Sequence, residues 1–141
     1  MRAPTSFRED SAVDMTFTLR DGARVDAHAG RFTIATDQPP DATAPTPFTL
    51  FLASIGACAA FYVQAFCRRR GIPTDGVRVM QQNEAGPTGH VQRVQLLVEL
   101  PPDFPDRYRD AVVRSAEQCT VKKHLEQPPE IHIESLVLAP S

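Results

Sequence analysis

Apolar and polar side chains alternate along the first third of the chain: Met15-Thr16-Phe17-Thr18-Leu19, then Ala23 to Ala27, then Arg31-Phe32-Thr33-Ile34-Ala35. A period of two puts successive side chains on opposite faces, so each run predicts a half-buried strand. Asp21-Gly22 supplies a hairpin turn between the first two strands and Ala29-Gly30 the next, which makes an antiparallel meander. The stretch Thr36 to Pro45, TDQPPDATAP, is turn and loop throughout. Thr46 as cap and Pro47 in the first turn then open a helix predicted to run to about Arg70, with Gly71 and Pro73 as stop signals.

Alternation returns at Val77 to Gln81 and Val91 to Leu100, which flank the turn-rich NEAGPTG and predict a long hairpin. After Pro101-Pro102 a second helix is expected over about Asp106 to Gln118, with a short helical turn continuing through Leu125. Ile131 to Leu138 alternates again and is expected to form the last strand. No internal repeat or low-complexity segment interrupts this order. The predicted fold class is α+β, with antiparallel sheets around a long central helix in the order βββ-α-ββ-α-β.

The central helix changes the picture most. From Pro47 to Cys67 it carries no charged side chain over 21 residues. That length also meets the roughly 17 to 25 residues of a membrane span. Pro47, Thr49, Ser54, Gly56 and Gln64 dilute its hydrophobicity, however, and strands on both sides can cover it, so a buried central helix is expected instead. A helix apolar all round needs cover all round, and a partner subunit is its natural source.

Composition narrows the function classes. At 141 residues the chain suits a single domain with its own core, 1–141, of which 1–12 is expected to be a flexible N-terminal segment. With 15 basic against 17 acidic residues there is no electrostatic case for nucleic acid or an anionic membrane. Arg68-Arg69-Arg70 suits a helix C-terminus. Three cysteines are too few and oddly numbered for a secreted disulfide scaffold, and the N-terminus has no apolar signal core, so a cytoplasmic location is expected.

Two of those cysteines are the candidate chemistry. Phe51, Ser54, Ile55, Phe61 and Tyr62 share a helix face with Cys58, and Tyr108, Val112, Ser115 and Ala116 share one with Cys119, so both sulfurs are expected to point into apolar surroundings. A free cysteine there can be no more than a small hydrophobe. Burial also raises a thiol pKa unless a nearby cation, donor or helix N-terminus compensates, for which Lys122, Lys123 and His124 are candidates near Cys119. Cys67, half a turn round the helix from Cys58, is expected to be structural. No metal site is expected, since there is no CxxC pair and His28, His90, His124 and His132 are scattered without ligand spacing. Phosphate-binding glycine loops and GxSxG are also missing, and no cofactor is expected.

The run APTPFTLFLASIGACAA, followed by RRRGI and a strand and then by AVVRSAEQCTV about sixty residues after the first cysteine, resembles the osmotically induced protein C and organic hydroperoxide resistance (OsmC/Ohr) family from about residue 13 to 138. The resemblance implies an intertwined homodimer with a site at the subunit interface, and thiol peroxidase chemistry on organic hydroperoxides. It implies that Cys58 is the peroxidatic and Cys119 the resolving cysteine, recycled by a dithiol or lipoylated-protein reductant. An apolar pocket lined by Phe48, Phe51, Phe61 and Tyr62 would favour organic substrates over hydrogen peroxide. The pattern departs from the family in two places. Phe48 and Thr49 stand where an acid orients an activating arginine, and Arg20, Arg24 and Arg31 are the candidates for that arginine. Thr120 stands where proline often follows the second cysteine. A divergent branch is implied. The alternatives are a non-enzymatic dimer that binds a small hydrophobic molecule, and a redox-responsive protein.

Overall fold

A computed structural model describes residues 14–140; the expected flexible segment 1–12 lies outside them. The expected α+β class is present: two antiparallel sheets and a long helix between them in the chain. The chain divides into two units, one of residues up to Thr49 together with those from Glu130 onward, the other Leu50–Pro129.

In the first unit, β1 (Met15–Leu19), β2 (Val25–Ala29) and β3 (Phe32–Thr36) form a meander. Phe17 lies opposite Ala27 and Ala27 opposite Ile34, so the apolar positions share one face. The second strand begins two residues later than its alternation suggested. The turn is the reason: Arg20 N–H donates to Arg24 O at 2.9 Å and Arg24 N–H to Asp21 O at 3.4 Å, so the reversal occupies Asp21 to Arg24. The loop before the helix closes on Asp37, whose carboxylate accepts from Thr43 N–H at 3.0 Å and Gln38 N–H at 2.8 Å. Those two backbone donors, Thr43 first, hold its pKa below the ordinary carboxylate value.

Helix α1 (Pro47–Arg69) follows. Thr46 caps it, its Oγ1 accepting from Thr49 N–H at 3.1 Å. At the other end Gly71 takes φ +65°, Ile72 N–H reaches Cys67 O at 2.9 Å and Gly71 N–H reaches Arg68 O at 3.3 Å, a Schellman stop. In the second unit, β4 (Arg78–Ala85) and β5 (Val91–Glu99) form the expected hairpin. Strand β4 outlasts its apolar pattern because Gln82, Asn83 and Glu84 still have ladder partners in Gln95, Val94 and Arg93. Gln81 ties β4 to α1 by donating to Leu52 O at 2.9 Å, and a Cβ on Gly56 would collide with that amide, so the glycine permits the close approach.

Val63, Phe66, Cys67, Ile72, Phe104 and Val112 make the core of this unit, joined by Val79 and Val98 of the hairpin. Cys67 is wholly buried there, and burial pushes its thiol pKa up against the opposing charge of Arg70. The second helical region is in three pieces: a 3-10 turn α2 (Asp106–Tyr108), then α3 (Arg109–Ala116) and α4 (Thr120–Glu126). The expected last strand does not form in the single chain. Ile131 to Leu138 has no ladder partner and its apolar side chains are exposed.

Helix α1 is long and apolar enough to cross a membrane by length and composition alone, and most of it is unburied within the chain. Its exposed positions include Phe48, Phe51 and Phe61.

Candidate active site

The break between α3 and α4 builds the site. Sequence periodicity placed Cys119 on the face of a continuing helix. Instead α3 stops at Glu117, whose N–H turns back to Ser115 O and Arg114 O, and Cys119 takes φ −51° and ψ 122° as the cap of α4. Its sulfur accepts from Lys122 N–H at 3.4 Å and lies 3.9 Å from Ile55 O, to which the thiol can donate. The break falls close to the expected helix end at Gln118; that Cys119 itself is the cap was not legible, because cysteine is not among the favoured capping residues.

That break turns the first backbone N–H groups of α4 toward α1. Cys58 sits half-buried on α1, near Cys119 and the first residues of α4, Thr120 and Val121, which bear on its pKa. Burial, the largest single influence, raises the Cys58 pKa, but the three donors outweigh it and leave the thiol below its ordinary value. Cys119 goes the other way. Burial comes first among the causes, the hydrogen bond it gives to Cys58 comes next, and both raise its pKa. The two sulfurs are therefore unequal: Cys58 is shifted toward its thiolate relative to an ordinary cysteine, and Cys119 away from it.

Tyr62 fastens the two elements together. Its hydroxyl lies 3.2 Å from Thr120 Oγ1, one turn along α1 from Cys58, and Phe61 packs edge-on against its ring with centroids 5.4 Å apart. Ser115 Oγ lies 3.5 Å from Tyr62 O. Phe61 is 59 % exposed, and Phe48 and Phe51 are exposed further toward the start of α1. Of the four aromatic residues expected to line a pocket, Tyr62 alone shares a hydrogen bond with the residue that follows Cys119.

The compensating cations expected beside Cys119 are not what acts on the thiols. Lys122 offers its backbone N–H while its ammonium lies 3.7 Å from Glu126, and His124 Nδ1 lies 2.7 Å from Thr120 O. Two candidate arginines are engaged within the first unit: Arg20 and Arg24 both reach the buried Asp26, at 3.4 and 3.5 Å. Arg31 lies over the Phe32 ring, 5.2 Å from its centroid. No group of three or more potential metal ligands occurs among the described residues.

The Thr120 donor can be removed without rebuilding the fold. Cys119 already has the extended backbone that a following proline requires, and proline suits the first helical position. Thr120→Pro is expected to raise the Cys58 pKa and to slow its alkylation near neutral pH about two- to tenfold, the worth of one hydrogen bond. Because the thiolate is the reactive form, the rise of rate with pH moves to higher pH, and alkylation–pH profiles would show it. Thr120→Val keeps the N–H, loses only the hydroxyl contact, and should leave the profile near that of the native protein.

An α+β protein with a helix-borne thiol near a buried second thiol defines a class of dithiol proteins. The sequence model for OsmC-like proteins matches residues 38–134, and the chain belongs to that family. Its fold is similar to an osmotic-stress-induced and detoxification response protein from Psychrobacter arcticus 273-4, at 18 % identity and TM-score 0.65 over 83 % of this chain and 89 % of that one. An OsmC-like protein from Mycoplasma pneumoniae gives 17 % and 0.63 over 84 % and 90 %, and a hypothetical protein from Aquifex aeolicus VF5 gives 11 % and 0.62 over 84 % and 89 %. No curated protein matches the chain.

Proposed function

We propose that the protein is a cytoplasmic, homodimeric thiol peroxidase that reduces organic hydroperoxides and serves in oxidative-stress defence. The observation that carries this reading is the asymmetric thiol pair: the half-buried Cys58 is shifted toward its thiolate and the buried Cys119 away from it. The Cys58 pKa is lowered although Phe48 and Thr49 stand in place of the family's acid.

The chemistry follows from that inequality. The Cys58 thiolate attacks the terminal peroxide oxygen, the O–O bond breaks, and the alkoxide takes a proton and leaves as an alcohol, with Cys58 oxidised to a sulfenic acid. Cys119 then attacks the Cys58 sulfur, its proton joins the departing hydroxide, and water and a disulfide result. A dithiol, free or carried as a lipoyl group on a protein, restores both thiols by exchange. Phe61 and Tyr62, with Phe48 and Phe51 further along α1, give the substrate an apolar approach.

A Cys119→Ser variant tests this order of events. It is expected to consume one equivalent of cumene hydroperoxide per chain, to hold Cys58 as a sulfenic acid that dimedone labels, and to stop there. Continued turnover at the native rate would overturn the resolving role.

Dimerisation is the remaining part of the reading. Phe61 is exposed on an uncharged helix face, and Phe17, Leu19 and Phe32 are exposed on one face of the β1–β3 sheet. Apolar surface of this extent is typical of an interface. Sedimentation equilibrium is expected to give twice the 15.5 kDa mass of the chain, and a monomer at micromolar concentration would contradict it.

A further inference from the structure

A cavity of about 340 Å³ opens onto Cys119 from the side of the β4–β5 hairpin, and neither Cys58 nor the aromatic residues Phe61 and Tyr62 line it. Val94, Leu96 and Val98, alternate residues of β5 and so on one face of the strand, make one wall. Val113 of α3 and Leu125 of α4 make the other. Cys119 is 2 % exposed and lies in the wall of this mainly apolar cavity, which is therefore the approach to its sulfur on that side. Lys122 and Glu117, of opposite charge, also line the cavity and give it no net preference for an anion or a cation.

This geometry divides the site into two approaches. Cys58 is the sulfur accessible from the α1 side, and Cys119 is the sulfur accessible from the cavity. In thiol–disulfide exchange the outcome depends on which sulfur is attacked and how readily the other leaves. Attack at Cys119 expels Cys58, the sulfur shifted toward its thiolate and so the readier leaving group. Attack at Cys58 would expel Cys119, which has Lys122 N–H at 3.4 Å but is buried, and burial disfavours its thiolate.

We propose that the cavity is the route of the reductant, a dithiol carried on an aliphatic arm, and that its thiolate attacks Cys119 and not Cys58. The inference rests on the disulfide of the peroxidase reading. The attacking sulfur bonds to Cys119 Sγ, the Cys119–Cys58 bond breaks, and Cys58 leaves as a thiolate. The second thiol of the arm then attacks the first sulfur of the arm and closes a cyclic disulfide. Cys119 departs with the electron pair and takes up a proton. Two electrons pass from the dithiol to the protein disulfide.

The test uses whole protein oxidised with diamide, so that it does not depend on any reaction with peroxide. Reduction is followed with glutathione and with mercaptoalkanols of increasing chain length, and the mixed disulfide is trapped by acid quench and mapped. The expected results are a mixed disulfide on Cys119 and a rate that rises up to about fourfold per added methylene until the cavity is filled, the worth of one buried methylene. Val113→Asp, a change at a half-exposed position, is expected to flatten that chain-length dependence. A mixed disulfide on Cys58, a rate indifferent to chain length, or failure of diamide to link Cys58 with Cys119 would overturn the inference. If the expected pattern holds while peroxide leaves the thiols intact, the peroxidase reading fails and the dithiol exchange site stands.

Discussion

A Cys58→Ser protein is expected to remove cumene hydroperoxide no faster than buffer alone. The substitution is nearly isosteric at a half-buried helix position, so the fold and the N–H groups of Thr120 and Val121 should remain. What changes is the nucleophile. Hydrogen bonds from two backbone amides can hold a thiolate at neutral pH, but a serine hydroxyl starts so much higher in pKa that the same donors leave it protonated. Cys119 cannot take over, because burial raises its pKa and leaves it 2 % exposed. Native-like circular dichroism with background peroxide loss is the expected pair of observations. A residual rate within tenfold of the native protein would move the chemistry away from Cys58.

Phe104→Ala is expected to destabilise the protein by about 3–5 kcal/mol, the usual cost of deleting a buried aromatic ring. Phe104 is 3 % exposed and belongs to the core cluster with Val63, Phe66 and Cys67 of α1 and Val112 of α3. It lies where the chain leaves the β4–β5 hairpin for the helices that carry Cys119, and its N–H donates to Pro101 O at 3.0 Å. The cavity left behind would loosen α3 against α1. Urea unfolding at fixed protein concentration should show the lower midpoint, the fixed concentration mattering because a dimer's stability depends on it. The cysteine site should feel the change too. A less rigid α4 presents the Val121 and Thr120 amides to Cys58 less often, so alkylation of Cys58 near neutral pH should slow. An unfolding midpoint within experimental error of the native one would show that Phe104 is not part of the core.

Most of the fold was legible because it is written in periodicity. The alternation of Met15 to Leu19 and of Val91 to Leu100, and the cap, first-turn proline and stop glycine around α1, each have a local physical cause that survives in the structure. Ile131 to Leu138 alternates as convincingly, yet strand formation needs a paired neighbour, and the segment pairs with none of the strands β1 to β5. Alternation reports which face would be buried, not what will bury it.

The site was legible only in part. Cys58 and Cys119 stood out by position, and each is among the causes of the other's pKa shift. The groups that distinguish the two sulfurs are backbone N–H groups of Thr120 and Val121, which every residue but proline possesses, so side-chain identity could not reveal them. Charged side chains are the conspicuous candidates in a sequence, yet the Lys122 ammonium pairs with Glu126 and His124 lies against Thr120 O. The cavity beside Cys119 was equally hidden, since Val94, Leu96, Val113 and Leu125 come from three elements whose approach only the tertiary structure shows.

The most direct test is single-turnover oxidation of the fully reduced protein by cumene hydroperoxide, counting free thiols before and after and mapping any new disulfide. Peroxidase chemistry predicts the loss of two thiols per chain, a Cys58–Cys119 link with Cys67 still free, and a rate far above that of free cysteine. Thiols that remain intact, or that oxidise no faster than free cysteine, would contradict it.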